Sequence, residues 1–138
     1  MSAIFDSGTT LVYVPSGIYS KMIGLITTKA SSVVKSNGYY YIPCSGSYDS
    51  VYFYMQDYYF EVRPESYLFG DVDCFIGFVS TSDEYFLIGD VFLREYYSIW
   101  NDDDSTLGLA PHIHTIATML PGAAPVKSIN TDPEEIDF

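Results

Sequence analysis

Positive charge is the scarcest ingredient of this sequence. Six Lys and Arg stand against eighteen Asp and Glu, a formal charge of -12. So acidic a surface repels phosphate backbones and anionic lipid headgroups, which argues against nucleic-acid and membrane partners. No apolar run approaches the roughly twenty residues of a membrane span. The opening Met1–Asp6 has no basic, leader-like segment, so no export signal is expected within the chain. Asn37, Asn101 and Asn130 all fall outside an Asn-x-Ser/Thr pattern. Cysteine is limited to Cys44 and Cys74, and histidine to His112 and His114. A zinc site would need two more ligands near the cysteines or a third beside the histidines, so no metal is expected. The acidic run Asp102–Asp104 lacks the spacing and glycine of a calcium-binding EF-hand and reads as a solvated hairpin tip.

Apolar and aromatic residues, by contrast, are plentiful. Of 138 residues, 48% are hydrophobic and 17% aromatic, with 14 Tyr and 9 Phe. That is enough for the core of one domain or part of one, and it excludes disorder throughout. The acidic balance suits work at low pH, where carboxylates protonate and self-repulsion falls. From spacing alone, Cys44 and Cys74 stand even between a disulfide and two buried thiols; a bridge would stabilise by about 3–4 kcal/mol.

The pattern is of short strands. Ala3–Phe5 runs into an Asp-Ser-Gly turn and Thr10–Val14 leaves it. Pro15 and Ser16 then open a helix, with Ser16 able to cap it and Ile18, Met22, Leu25 and Ile26 on one face. Residues 30–38 read as a loop ending in an Asn-Gly turn. A β-meander is expected after it, with strands at Tyr39–Pro43, Val51–Met55, Tyr58–Val62, Cys74–Val79, Tyr85–Ile88, Tyr96–Trp100 and Thr106–Ala110. Pro64–Leu68 and Asp90–Glu95 each look like one helical turn. The tyrosine clusters read as sheet faces. Residues 113–138, with Pro, Gly, Ala and a run of acids, are expected to be a flexible tail. The fold class is all-β with short helices.

Chemistry centres on "AIFDSGTTLVYVP", Ala3 to Pro15. Asp-Ser-Gly by itself is an ordinary β-turn. It gains meaning if its carboxylate faces a second one. Two carboxylates about 3 Å apart cannot both ionise, so one takes a proton from water while the other donates to a substrate carbonyl. Ser7, Gly8 and Thr9 supply a hydroxyl, an N–H and another hydroxyl able to hold the charged form of Asp6.

Downstream stands "YFLIGDVFLREYYSIWNDDDSTLGLAPH", Tyr85 to His112. With the Asp-Ser-Gly-Thr stretch, "PESYLF" and "CFIGF", it closely resembles the C-terminal lobe of the pepsin-like aspartic peptidases, over roughly residues 2 to 112. The resemblance implies that residues 1–112 are an all-β lobe of the bilobal acid-protease fold, truncated on its N-terminal side, with Asp6 as one of two catalytic aspartates. It implies support from Ser7, Gly8 and Thr9, with Thr9 bonding the outer oxygen of Asp6. Ile4, Thr10 and Leu87 are expected to face substrate, and Ile88 and Gly89 to pass beneath the catalytic loop. It implies a Cys44–Cys74 disulfide, and with it a secreted or lysosome- or vacuole-like compartment. The function implied is endoproteolysis at acidic pH by an Asp-activated water, with no metal or organic cofactor.

One departure bears on mechanism. These 138 residues hold no second Asp-Thr/Ser-Gly loop: Asp90 follows the Leu-Ile-Gly element, and Asp102–Asp104 belong to a hairpin. The partners expected are therefore a peptide substrate and a companion lobe or second chain, the isolated chain being inactive. Two alternatives are a retroviral-type homodimer pairing two copies of Asp6 and an inactive fragment that binds peptides or a partner.

Overall fold

The computed structural model describes residues 2–55, 57–101, 103, 106–112, 117–121 and 129–131. Strand β1 (Ser2–Phe5) leads into the Asp6 turn and β2 (Val12–Pro15) leaves it. Helix α1 (Ser16–Thr27) follows, then β3 (Val34–Ser36), β4 (Tyr39–Pro43), β5 (Val51–Met55) and β6 (Tyr58–Val62). A short turn of helix, α2 (Pro64–Tyr67), precedes β7 (Leu68–Gly70), β8 (Asp73–Ile76), β9 (Phe78–Thr81) and β10 (Tyr85–Ile88). Then come α3 (Asp90–Leu93) and the ribbon β11 (Tyr96–Asn101) and β12 (Thr106–Pro111), and last β13 (Met119–Pro121) and β14 (Ile129–Thr131). The all-β architecture with short helices is the one expected. Among the described residues, no helix is long and apolar enough to cross a membrane.

Local rules account for the hairpins. Asn37 and Gly38 both take positive φ, 53° and 83°, as a tight β3–β4 turn requires. The hairpins β5–β6, β7–β8 and β11–β12 are likewise sequential neighbours. The sheet that carries Asp6 departs from a meander. Its order is β1-β10-β2-β9, with β1 parallel to β10 and β2 parallel to β9. Parallel neighbours need long connections, and here most of the chain lies between β1 and β10.

The strand expected at Cys74–Val79 is two strands split at Gly77. β8 pairs with β4 and β7, whereas β9 pairs with β2. Gly77 is the crossing point. Its N–H donates to the Tyr67 carbonyl at 2.6 Å and its carbonyl accepts from Val12 N at 3.1 Å. A Cβ there would press on Phe69 at 2.7 Å and Val91 at 2.9 Å.

Helix α1 buries Ile18, Tyr19, Met22, Ile23 and Ile26, while Leu25 is 52% exposed. The buried stripe is centred further round the helix than expected, because Tyr19 and Ile23 join it and leave Leu25 outside. Nor does Ser16 cap the helix. Pro15 occupies that position without a side-chain bond. In the region expected to be a loop, residues 34–36 form β3.

The core is aromatic. Phe53 meets Phe78, Phe86 and Phe92 at 5.6–6.2 Å between centroids. Phe92 stacks on Tyr96 at 4.8 Å and meets Phe5 edge-on at 5.8 Å. Such pairs add about 0.5–1.5 kcal/mol each beyond buried area. This chain of rings reaches from the sheet interior to the strand entering the Asp6 turn.

Cys44 and Cys74 are bridged, with Cα atoms 5.0 Å apart. The bridge ties the end of β4 to β8, next to the Ile42–Cys74 register pair. Within the stretch expected to be a tail, Met119–Pro121 pairs with β6 and Ile129–Thr131 with β5. Asp102, Asp104, His114 and the remainder of that stretch lie outside the described residues.

Candidate active site

Asp6 sits where β1 ends, partly exposed, in a turn closed by its own carbonyl, which accepts from Thr9 N at 3.1 Å. Its carboxylate is held from both sides. Gly8 N donates to Oδ1 at 2.9 Å and the Thr9 hydroxyl to Oδ2 at 2.7 Å. These two donors, the hydroxyl first and the amide second, hold the carboxyl below the usual aspartate range against a smaller opposing effect of burial. The carboxylate is therefore kept charged and fixed in orientation at mildly acidic pH.

Substituting Thr9→Val removes the stronger donor while keeping the shape. The Asp6 pKa is expected to rise, measured by NMR titration of its carboxyl carbon. An unchanged titration would show that Thr9 does not hold the charge.

The turn rests on the segment after β10. Asp6 N donates to Ile88 O at 2.9 Å. Asp90 N donates to the Thr9 carbonyl at 2.8 Å and Val91 N to the Thr10 carbonyl at 3.0 Å. The first amides of α3 thus satisfy the carbonyls of the loop that carries Asp6. Sequence reasoning missed these two amides. Backbone donors leave no residue-type signature by which they could have been found.

Gly89 is required by space. A Cβ on it would collide with the carbonyl oxygens of Thr9 and Leu11. Backbone cannot give way as a flexible side chain can. Gly89→Ala is expected to cost about 3 kcal/mol, read as a lower denaturant midpoint with unchanged slope. A midpoint within error of the parent would contradict the close approach.

Alternation on the sheet then sorts the neighbours. Ile4, Leu87, Tyr13 and Val79 are in register across β1, β10, β2 and β9. None of the four is buried, and Ile4 is 48% exposed. The next row, Phe5, Ile88, Val12 and Phe78, turns into the core. Ile4 and Leu87, both expected near substrate, are therefore side by side on the accessible face, close to the Asp6 turn. Thr10 is exposed beyond it, and Ser7 is exposed within it. The disulfide joins Cys44, in the turn just after β4, to Cys74 on β8, away from the Asp6 sheet. Among the described residues, no cluster of three or more His, Cys, Asp and Glu could hold a metal ion.

A carboxylate with two fixed donors, at a tight turn beside an apolar row, is the kind of half-site that paired-carboxylate hydrolases use. The sequence profile of the eukaryotic aspartyl protease family matches residues 1–112. The chain is 33% identical to an acid protease of Saccharomycopsis fibuligera, the alignment covering 78% of this chain and 28% of that protein. It is 34% identical to an aspartic protease of Phaffia rhodozyma, over 79% of this chain and 29% of the relative. Gastricsin of Cavia porcellus is 30% identical, over 78% and 28%. The chain belongs to the eukaryotic aspartyl protease family, and it spans less than a third of the length of these relatives.

Proposed function

We propose that this chain is the C-terminal catalytic portion of a two-lobed aspartic endopeptidase, with Asp6 as one of its two catalytic aspartates. The observation that carries the reading is the grip on the Asp6 carboxylate by the Gly8 amide and the Thr9 hydroxyl. A charged carboxylate so fixed is prepared to take a proton from water. The companion carboxylate, protonated, hydrogen-bonds to the scissile carbonyl, and Asp6 passes the proton it took from water to the leaving nitrogen. Water oxygen bonds to the carbonyl carbon, the tetrahedral intermediate collapses, and the C–N bond breaks. Ile4 and Leu87 offer apolar contact to side chains near the cut, with Thr10 as a hydroxyl at the rim. Ser7 faces outward for a contact with the companion lobe. The disulfide fits an oxidising compartment, secreted or lysosome- or vacuole-like.

Support for a companion comes from exposed apolar surface. Tyr97 and Ile99 on β11 are each about 60% exposed, beside exposed Gly108 and Ala110 on β12. The test is reconstitution. The chain would be co-folded with a polypeptide carrying a second Asp-Thr-Gly loop, and cleavage of an unfolded protein followed near pH 4. Cleavage by the pair and none by the chain alone is the expected result. A folded pair without activity would sink the reading. Cleavage by the chain alone, rising with the square of its concentration, would replace it with a homodimeric enzyme.

A further inference from the structure

The family segment ends at residue 112, yet the chain beyond it contributes to the core. Ala117 is buried, at 6% exposure, and Met119 packs against the same cluster. β13 and β14 lie on the two outer edges of one hairpin, giving the sheet order β13-β6-β5-β14. We propose that residues 117–121 and 129–131 act as a strap, clamping the β5–β6 hairpin from both sides and closing the lobe's most aggregation-prone edges. The proposal does not depend on the role of Asp6.

The hairpin needs such cover. β5 reads Val-Tyr-Phe-Tyr-Met and β6 Tyr-Tyr-Phe-Glu-Val, β-prone, aromatic and almost without charge. Two bare edges of that composition would template pairing with another chain. The one charge, Glu61, is used to hold the strap. Its Oε1 accepts from the Thr118 amide at 3.0 Å and the Thr118 hydroxyl at 3.2 Å, while its own N–H donates to the Thr118 carbonyl at 3.0 Å. Its Oε2 accepts from the Ser50 hydroxyl at 2.6 Å. The Tyr96 hydroxyl donates to the carbonyls of both Glu61 and Thr118, fastening the strap to the stack that carries Phe92. β14, on the opposite edge, runs parallel to β5 and lies against α1.

Register identifies the amides to watch. Glu61 turns its N–H outward to Thr118. Tyr52, its direct antiparallel partner, therefore turns its own amide outward as well, toward β14. In the full chain both amides should exchange slowly. Leu120→Pro removes the β13 donor opposite Tyr59, and Thr131→Pro a donor on β14 beside Tyr52. The first should speed exchange at Glu61, the second at Tyr52, each on the order of a hundredfold. Truncation after His112 should do both, lower the melting temperature by at least about 5 °C, and produce self-association on sedimentation. Glu61→Ala should reproduce the β13 effect with every residue of the strap present. Should the truncated chain fail to fold at all, the two proline variants still test each edge separately. Glu61 and Tyr52 amides exchanging at free-peptide rates in the full chain would overturn the proposal. So would a truncated chain that keeps the parent's exchange, stability and monomeric state.

Discussion

Asp6→Asn, made in the assembled two-lobed protein, is expected to lower cleavage by at least about a thousandfold while leaving the fold intact. The two halves of that expectation have different causes. An amide cannot take a proton from water, so the nucleophile is not generated. The turn, however, can accept an amide. Asp6 meets one donor that can reverse and one that cannot. The Gly8 amide only donates, so the oxygen of the new side-chain amide is held on that side. The Thr9 hydroxyl both donates and accepts, so it can rotate to take a hydrogen bond from the amide nitrogen. The variant should keep its melting temperature and its binding of an uncleaved peptide. More than a tenth of parental activity in a homogeneous preparation of the variant would show that Asp6 is not a member of the dyad. Lost activity with lost folding would instead point to a structural role for the carboxylate.

How much of this could be read beforehand depends on how local the cause is. Tyr39–Pro43, Val51–Met55, Tyr58–Val62 and Tyr85–Ile88 are strands with the bounds expected from sequence, because aromatic and β-branched runs end there at turn residues. The Asp6 turn was legible for the same reason, its donors lying two and three residues away. The pairing order β1-β10-β2-β9 was not, since it joins segments about eighty residues apart. Cys74–Val79 read as one strand, and only the neighbours of Gly77, namely Tyr67, Phe69 and Val91, show that two sheets part there. Leu25 was misplaced because tyrosine was not counted on the buried face of α1. The strap strands are three residues each, too short for any period to register.

Arg63 and Glu95 are a second case on which the sequence is silent, thirty-two residues apart and one of the most consequential contacts in the lobe. Glu95 is 3% exposed. Its carboxylate accepts from Arg63 Nη2 at 2.8 Å, from Nε at 3.1 Å and from the Arg63 amide at 3.3 Å. The guanidinium is more exposed and also approaches Glu65 at 4.0 Å, a weaker contact. The hydrogen bond to Glu95 raises the Arg63 pKa further above its already high value, so its charge persists at every pH of interest. The pair joins the end of β6 to the chain between α3 and β11. Glu95 also accepts His112 N at its carbonyl, where the family segment closes. Arg63→Leu would leave a buried carboxylate without the cation that shares its charge. The expected loss is about 3–5 kcal/mol, read by urea denaturation of the folded chain. Glu95→Leu in the same background should recover much of it, because the stranded buried charge is then gone. An Arg63→Leu variant as stable as the parent would mean that water reaches Glu95 and that the pair is screened. A double variant no better than the single would mean that the destabilisation arises from lost packing of the Arg63 aliphatic stem rather than from the stranded charge.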